Sequence, residues 1–208
     1  THPCEARCRR AQLDEPLAIR SLKRFAADYE LEHADAFYFD LEREGKTKKG
    51  KKVAVIGGGP AGLTAAYYLA IWGYDVTIFE ASQRLGGMLN YAIPPYRLPN
   101  DVLHKEIDII LKSGVNVITG IKVGADISLD VIRKSFDAVF MGIGTQQPVK
   151  LGVKGEDAEG VMTALEFLRM INEGNMPSVG RKVVVIGGGS TAFDAARSAL
   201  RLGAEEVA

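Results

Sequence analysis

The sequence is poor in cysteine and histidine, has no excess of charge of either sign and contains no long apolar run. Its 208 residues include 26 lysines and arginines against 26 aspartates and glutamates, so no net electric field favours nucleic acid or a membrane surface. No apolar stretch reaches the roughly 18 to 20 residues that span a bilayer, and the N-terminus THPCEARCRR has no signal-peptide pattern. We therefore expect neither nucleic acid nor a membrane as a partner, and a cytoplasmic location.

The few cysteines and histidines also limit the chemistry of any site. Cys4 and Cys8, the only two cysteines, lie close together, which argues against a disulfide scaffold and leaves two alternatives, a pair of free thiols or ligands of a metal. His2, His33 and His104 lie far apart in the sequence. Surface or structural roles are expected for all three histidines, and no general acid–base pair is evident.

The pattern of apolar and polar residues changes along the chain. Apolar residues recur at helical spacing between Leu17 and Leu41, and a polar run from Glu42 to Lys52 is typical of a solvated linker. From Lys52 onward, apolar strands alternate with helices, which predicts an α/β fold with a Rossmann-like, doubly wound parallel sheet. The predicted elements are strand KVAVIG, a helix over 60–72, strand DVTIFE, a helix near 103–112, and strands VNVITG and DAVFMGIG.

A glycine-rich turn follows the first strand and opens the first helix of this region. Gly57 permits a tight turn, Gly59 lets the backbone approach a pyrophosphate, and Gly62 allows the helix to pack closely on the strand. The N-terminus of the helix offers free N–H groups and partial positive charge to phosphates. Glu80 ends the next strand, where a carboxylate can accept both hydroxyls of an adenosine ribose. Together these features predict a dinucleotide site.

The same pattern recurs near the end of the sequence. KKVAVIGGGPAGLTAAYYLAIWGYDV, which begins at Lys51, aligns without gaps up to Gly73 with RKVVVIGGGSTAFDAARSALRLGAEEV, which begins at Arg181. The second turn keeps Gly187 and Gly189 and has Ala192 in place of the third glycine, a replacement that the fingerprint tolerates. The strand expected over 182–186 and its helix need further strands to bury their apolar faces, so the second dinucleotide fold is incomplete in this chain.

The loop after Glu80 narrows the interpretation. The string EASQRLGGMLNYAIPPYRLP resembles the small (β) subunit of glutamate synthase and its relatives, including the flavin domain of dihydropyrimidine dehydrogenase. The similarity extends over nearly the whole chain and includes PCEARC, EPLAIRSLKRFAAD, GIGT at 142–145, GVKGED at 152–157 and GGGSTAFDAARSALRLGA.

The resemblance implies that FAD lies along the first glycine turn and that NAD(P)H binds at the second. The residues that the family's pattern assigns to FAD are Gly57, Gly59, Pro60, Ala61, Gly62, Glu80, Met88, Arg97, Val123 and Gly144. Those assigned to NAD(P)H are Gly187, Gly189, Ser190 and Thr191. Gly142 and Gly144 fill a further glycine turn that the family usually writes Ala-Thr-Gly, so the GIG of this chain departs from the pattern.

The resemblance also gives the cysteines a role. In the family, three cysteines spaced four apart help to hold [4Fe–4S] clusters, and the first would fall one residue before Thr1. We therefore expect a part of a longer polypeptide, divided into the end of a helical iron–sulfur domain at 1–49, the first part of an FAD-binding domain at 50–155, and a linker helix with the start of an NAD(P)-binding domain at 156–208.

The function that the resemblance implies is that of an FAD-dependent NAD(P)H oxidoreductase. Nicotinamides donate electrons in pairs and iron–sulfur clusters accept them singly, and a flavin can do both. The expected protein passes electrons between NAD(P)H, FAD and [4Fe–4S] clusters toward a larger partner subunit. Two alternatives remain, a simple flavoprotein reductase without clusters and a non-catalytic nucleotide-binding module.

Overall fold

The computed structural model describes residues 2–33 and 48–208. The chain forms two compact units, Thr1–Gly45 and Lys46–Ala208. Among the described residues, no helix combines the length and the hydropathy that a transmembrane segment needs.

The first unit is helical. It contains α1 (Pro3–Ala6), a 3-10 helix (Arg9–Gln12) and α2 (Ile19–Glu32). The helical prediction for 17–41 is thus confirmed over α2, and its last part lies outside the described residues, as does most of the predicted linker. None of these three elements contains a buried residue, and Leu22, Phe25 and Tyr29 form an exposed apolar face of α2.

The second unit is built on a parallel sheet of four strands. The strands are β1 (Lys52–Ile56), β2 (Asp75–Glu80), β3 (Asn116–Thr119) and β4 (Ala138–Met141), in the order β3-β2-β1-β4. All three neighbouring pairs are parallel. The connecting helices are α3 (Pro60–Ile71), α4 (Met88–Tyr91), α5 (Asn100–Lys112) and α6 (Leu129–Ser135).

Helices cover both faces of this sheet. On one face, Val55, Val76 and Ile78 pack with residues of α3 and α5. On the other, Ala54, Ile56 and Phe79 pack with Ile132 of α6. Burial on both faces explains why the central strand β1 is a continuous apolar run, whereas the edge strands β3 and β4 are mostly exposed. The doubly wound sheet predicted from the sequence is therefore confirmed.

The structure adds two short helices that the sequence pattern did not predict, α4 and α6. Helix α6 begins where the Ser128 hydroxyl accepts a hydrogen bond from the Val131 N–H at 3.3 Å, and it closes the crossover from β3 to β4. A helix of one or two turns has too few apolar residues to show a 3.6-residue period, which is why a cap was the only signal for it.

The last part of the chain forms a smaller repeat of the same design. It contains α7 (Ala164–Asn172), β5 (Lys182–Val183), α8 (Ser190–Arg201) and β6 (Glu206–Val207), with β5 and β6 parallel. The strand expected over 182–186 is shorter than predicted. Its pairing with β6 ends at the hydrogen bond from the Val185 N–H to the Ala208 carbonyl, 2.8 Å long. Val184 and Ile186 are largely exposed.

We predict that Gly62→Ala destabilises the second unit. An added Cβ would lie 1.8 Å from the Gly57 carbonyl oxygen and 3.2 Å from Val55 Cγ1, so α3 must move away from β1. The expected loss is about 1–3 kcal/mol of unfolding free energy, the usual range for overpacking. Urea denaturation monitored by circular dichroism measures it.

Gly59→Ala is the matched control for this substitution. A Cβ at Gly59 would lie no closer than 3.8 Å to any described atom, and the position precedes α3 with φ −80°. The control should cost less than about 1 kcal/mol, the difference between glycine and alanine at a helix N-cap. Equal losses in the two variants would contradict the packing role of Gly62.

Candidate functional site

The first glycine turn joins β1 to α3 at the point where the strand order of the sheet reverses. Gly57 has φ +102°, which glycine adopts without strain, and its N–H donates to the Phe79 carbonyl at 2.8 Å. Strands β2 and β4 flank β1 on opposite sides, so the turn lies at the carboxyl end of the sheet at its switch point. In open α/β sheets this crevice is where ligands bind.

The glycines of this turn differ in what they contact. A Cβ at Gly57 would lie 2.4 Å from the Gly142 carbonyl oxygen, and a Cβ at Gly58 would lie 2.3 Å from Leu85 Cδ2. Together with Gly62, these positions need glycine for packing within the chain. Gly59 has no such constraint in the described structure, because a Cβ there would make only an ordinary contact with Gly87. Gly59 is therefore where a pyrophosphate can approach the protein backbone closely, as the fingerprint requires.

The N-terminus of α3 faces the same space. Pro60 and Ala61 are exposed, and Pro60 occupies the first helical turn, where its missing N–H costs no hydrogen bond. The remaining free N–H groups and the partial positive charge of a 12-residue helix favour an anion there. The turn and helix thus offer what a pyrophosphate needs.

Glu80 is held firmly beside the turn. Its carboxylate is buried, with a residue exposure of 8%. One oxygen accepts a hydrogen bond from the Gly58 N–H at 2.6 Å and the other from the Ser82 N–H at 2.7 Å. Each oxygen keeps further lone pairs for a ligand hydroxyl. Sequence reasoning assigned Glu80 to the ribose and did not predict that it also braces the glycine turn, since only the fold brings Gly58 to it.

The segment after β2 returns to the glycine turn. The Gly86 N–H donates to the Gly58 carbonyl at 2.8 Å, and Met88 begins α4 beside it, half-buried. Arg97 lies farther along, where its guanidinium pairs with the Asp194 carboxylate on α8, 2.5 Å away. That contact had no signal in the sequence because the two residues belong to different repeats of the fold.

Val123, Gly142 and Gly144 follow β3 and β4. Val123 is half-buried and forms an isolated parallel bridge with Ile127. The Gly142 N–H donates to the Ile56 carbonyl, and a Cβ on Gly142 would lie 3.1 Å from the Gly62 nitrogen, so this glycine has a packing function. Gly144 is exposed with φ +64°. The departure from Ala-Thr-Gly at 142 thus coincides with a close backbone contact.

The second glycine turn is more open than the first. Gly187 has φ +140°, and an added Cβ would lie 3.4 Å from Ala192 Cβ. At Gly189 a Cβ would meet no atom of the described residues within 4 Å, so this glycine also leaves room for a ligand. Ser190 and Thr191 are exposed in the first turn of α8, a 12-residue helix. These residues can contact phosphates in the manner of the first turn.

The two cysteines lie in the first unit. Cys4 is exposed within α1, and Cys8 is half-buried at the start of the 3-10 helix. Hydrogen bonds from the backbone at Leu17, and then at Arg10, lower the pKa of the Cys8 thiol below its usual value because they stabilise the thiolate. Thiolates are the form that binds metals. Within residues 2–33 and 48–208, no group of three or more potential ligands is assembled.

All three histidines are exposed. His33 stacks on Tyr29, with ring centroids 4.1 Å apart, and His2 lies 3.2 Å from Glu5. His104 is exposed on α5. None of the three lies in either glycine turn.

Several known proteins are similar in sequence to most of this chain. The model of the pyridine nucleotide-disulphide oxidoreductase family matches residues 30–208. The chain is 46% identical to the NADP(+)-dependent formate dehydrogenase subunit beta of Moorella thermoacetica, over 99% of this chain and 32% of that protein. It is 34% identical to the glutamate synthase [NADPH] small chain of Bacillus subtilis, over 99% of this chain and 43% of that protein.

A solved structure shows the same fold. FprA of Mycobacterium tuberculosis, in complex with NADPH, matches with a TM-score of 0.64 and 24% identity, over 71% of this chain and 36% of FprA. The chain thus spans from about a third to less than half of the length of these proteins. The resemblance to the glutamate synthase small subunit is confirmed, and the chain belongs to the pyridine nucleotide-disulphide oxidoreductase family.

Proposed function

We propose that this chain carries the first part of an FAD site and the beginning of an NAD(P)H site in a larger oxidoreductase. The observation that carries the proposal is the presence of two Rossmann turns in one compact unit, each with a central glycine at which an added Cβ would lie no closer than 3.8 Å to a described atom. Because Gly59 and Gly189 are not required by packing within the described chain, their best explanation is a ligand that approaches the backbone.

FAD is the dinucleotide proposed for the first turn. The pyrophosphate would lie along the first turn and the N-terminus of α3, and Glu80 would accept hydrogen bonds from the ribose. The other proposed contacts follow the segment after β2 and the ends of β3 and β4. The full proposed set is Gly57, Gly59, Pro60, Ala61, Gly62, Glu80, Met88, Arg97, Val123 and Gly144.

NAD(P)H is proposed at the second turn, through Gly187, Gly189, Ser190 and Thr191. The names of the relatives in Moorella and Bacillus specify NADP(+) and NADPH, which favours a nicotinamide dinucleotide at one of the two turns. Residues that choose between NADH and NADPH normally follow the next strand. Titration with NADPH and with NADH distinguishes the two.

The bound flavin would supply the chemistry that converts electron pairs into single electrons. The chain itself holds the two nucleotides. The buried Glu80 carboxylate orients the adenosine end of one nucleotide, and the α3 and α8 N-termini bind the phosphates. Transfer between the two cofactors then requires that their reactive ends be held in contact, because positioning is the protein's main contribution.

Cys4 and Cys8 are proposed as ligands of a [4Fe–4S] cluster, with further ligands from outside the described residues. The lowered pKa of Cys8 supports this proposal, because backbone donors that stabilise a thiolate also stabilise a thiolate ligand. The domain division at 1–49, 50–155 and 156–208 belongs to the same proposal. The parent protein would pass electrons from NAD(P)H through FAD and clusters to a partner subunit.

The first prediction for this function is that the full-length protein releases FAD when denatured. We expect Glu80→Ala to weaken FAD retention by about 1.5–3 kcal/mol, the value of hydrogen bonds to a charged group. Chromatography of the released cofactor and fluorescence titration of the apoprotein measure both results. Recovery of FMN alone would contradict the proposal.

Glu80→Ala also removes the acceptors of the Gly58 and Ser82 N–H groups, so its effect on FAD needs a control. Gly59→Ala provides it, because this variant should fold with little loss and yet crowd the pyrophosphate. We expect it to reduce FAD retention at least tenfold while the urea midpoint of the apoprotein stays close to that of the wild-type apoprotein. Unchanged FAD affinity in Gly59→Ala would show that the open space is not a ligand site.

A separate prediction concerns the cysteines. Serine at Cys4 or Cys8 in the full-length protein should lower the iron content per chain and the visible absorbance of the cluster, because the hydroxyl is a poor substitute for a thiolate. FAD content should stay close to that of the wild type, since both cysteines lie in the first unit. Iron assay and cofactor chromatography on the same samples measure the two quantities. Unchanged iron in both variants would favour the simple flavoprotein reductase without clusters.

A further inference from the structure

One segment of the chain contacts the first glycine turn and the helix that follows the second, and we call it the connecting segment, residues 86–99. At its start, the Gly86 N–H donates to the Gly58 carbonyl at 2.8 Å. Gly87 packs so closely on the turn that an added Cβ would lie 2.9 Å from Gly59 Cα. At its end, the segment contacts α8, which follows the second glycine turn. It is therefore a direct physical link between the two proposed nucleotide sites.

An ion pair fastens the end of the connecting segment to α8. Arg97 Nη1 lies 2.5 Å from the Asp194 carboxylate, and only 6% of the Asp194 side chain is exposed. The hydrogen bond that the Arg97 guanidinium donates to Asp194 is the main reason why the pKa of Arg97 lies above its usual value. A buried carboxylate that loses its cation is left uncompensated, so the pair depends on Arg97 being held in place.

Tyr96 supplies a second attachment at the same point. Its hydroxyl donates to the Asp194 carbonyl at 3.3 Å. The guanidinium of Arg201 lies 3.9 Å from the centroid of the Tyr96 ring, and that of Arg197 lies 5.5 Å away. Both distances are within the range of a cation–π interaction. Arg201 also donates to the Arg197 carbonyl at 3.0 Å, which fixes its guanidinium over the ring.

The middle of the connecting segment is anchored independently. Pro94 is fully buried, and the Asn172 side-chain amide at the end of α7 donates to the Ile93 carbonyl at 3.2 Å. The backbone carbonyl of Asn172 in turn accepts a hydrogen bond from Arg84 at 3.1 Å. Release of the Tyr96 end alone should therefore loosen Arg97 without detaching the whole segment.

We propose that Tyr96, held by Arg197 and Arg201, is a positioning residue that fixes the Arg97–Asp194 pair and thereby sets the distance between the two dinucleotide sites. The inference rests on the proposed function, since it assigns to this contact the alignment of the two cofactors. Hydride transfer needs reacting atoms about 3 to 3.5 Å apart, and a misplacement of about 1 Å can cost roughly 100-fold in rate.

The test uses two variants of the full-length protein that loosen the contact, Tyr96→Leu and Arg201→Gln. Arg201→Lys is the conservative variant, because an ammonium also binds an aromatic face. Arg181→Gln is the matched control, since Arg181 is an exposed cation of the same repeat that pairs with Glu205 at 2.7 Å and does not contact the connecting segment.

The first measurement is amide hydrogen exchange at Arg97 and Leu98, whose N–H groups both donate to the Pro94 carbonyl, at 2.9 and 3.2 Å. We expect exchange to be faster by about tenfold in Tyr96→Leu and Arg201→Gln, because local opening becomes easier once the clamp is lost. Arg201→Lys and Arg181→Gln should exchange at close to the wild-type rate. Unchanged exchange in both loosened variants would refute the proposal that Tyr96 holds Arg97 in place.

The second measurement is rapid-mixing reduction of the bound flavin by NAD(P)H. We expect the limiting rate to fall about tenfold in the two loosened variants while the Kd for the nicotinamide nucleotide and the FAD content stay within about twofold. A raised Kd with an unchanged limiting rate would show a binding contact and refute the positioning role, as would an unchanged rate together with faster exchange. If the wild-type protein contains no flavin, or contains a flavin that NAD(P)H does not reduce, the proposed function is refuted, and the positioning role with it.

Discussion

Close contact between backbones is the constraint on which the second unit depends. The Gly57, Gly62 and Gly142 backbones come from β1, α3 and the end of β4, and a side chain at Gly57 or Gly62 would overlap a backbone atom. This contact draws the helix N-terminus and two strand ends together at the switch point of the sheet. Gly59 lies within the same turn, and an added Cβ there would come no closer than 3.8 Å to a described atom.

Glu80 adds a buried negative charge to this close-packed region. Burial of a carboxylate carries a large desolvation cost unless donors surround it. The Gly58 and Ser82 N–H groups meet this need and at the same time fix the conformation of the glycine turn. Turn and acid are therefore one structural unit in this chain.

The parallel sheet, the two glycine turns and Glu80 could be predicted from the sequence, because each depends on local pattern: apolar strands, glycines at fixed spacing and an acid at a strand end. The Arg97–Asp194 pair and the Tyr96–Arg201 contact could not, because the partners are distant in sequence and no local pattern encodes their distance. The backbone donors at Cys8 were missed for a similar reason, since a neutral amide has no sequence signature. Helix α6 was missed because it is too short for periodicity.

The proposed role of the chain is to link a nicotinamide to a flavin, with single-electron carriers beyond. The most direct measurement is an anaerobic titration of the purified full-length protein with NADPH and, separately, with NADH, followed by visible absorbance. We predict that at least one of the two bleaches the flavin spectrum, at about one nucleotide per FAD plus about half a nucleotide per cluster, because each nicotinamide donates one electron pair and each cluster accepts a single electron. A flavin that neither nucleotide reduces, or a protein that contains no flavin, would contradict it.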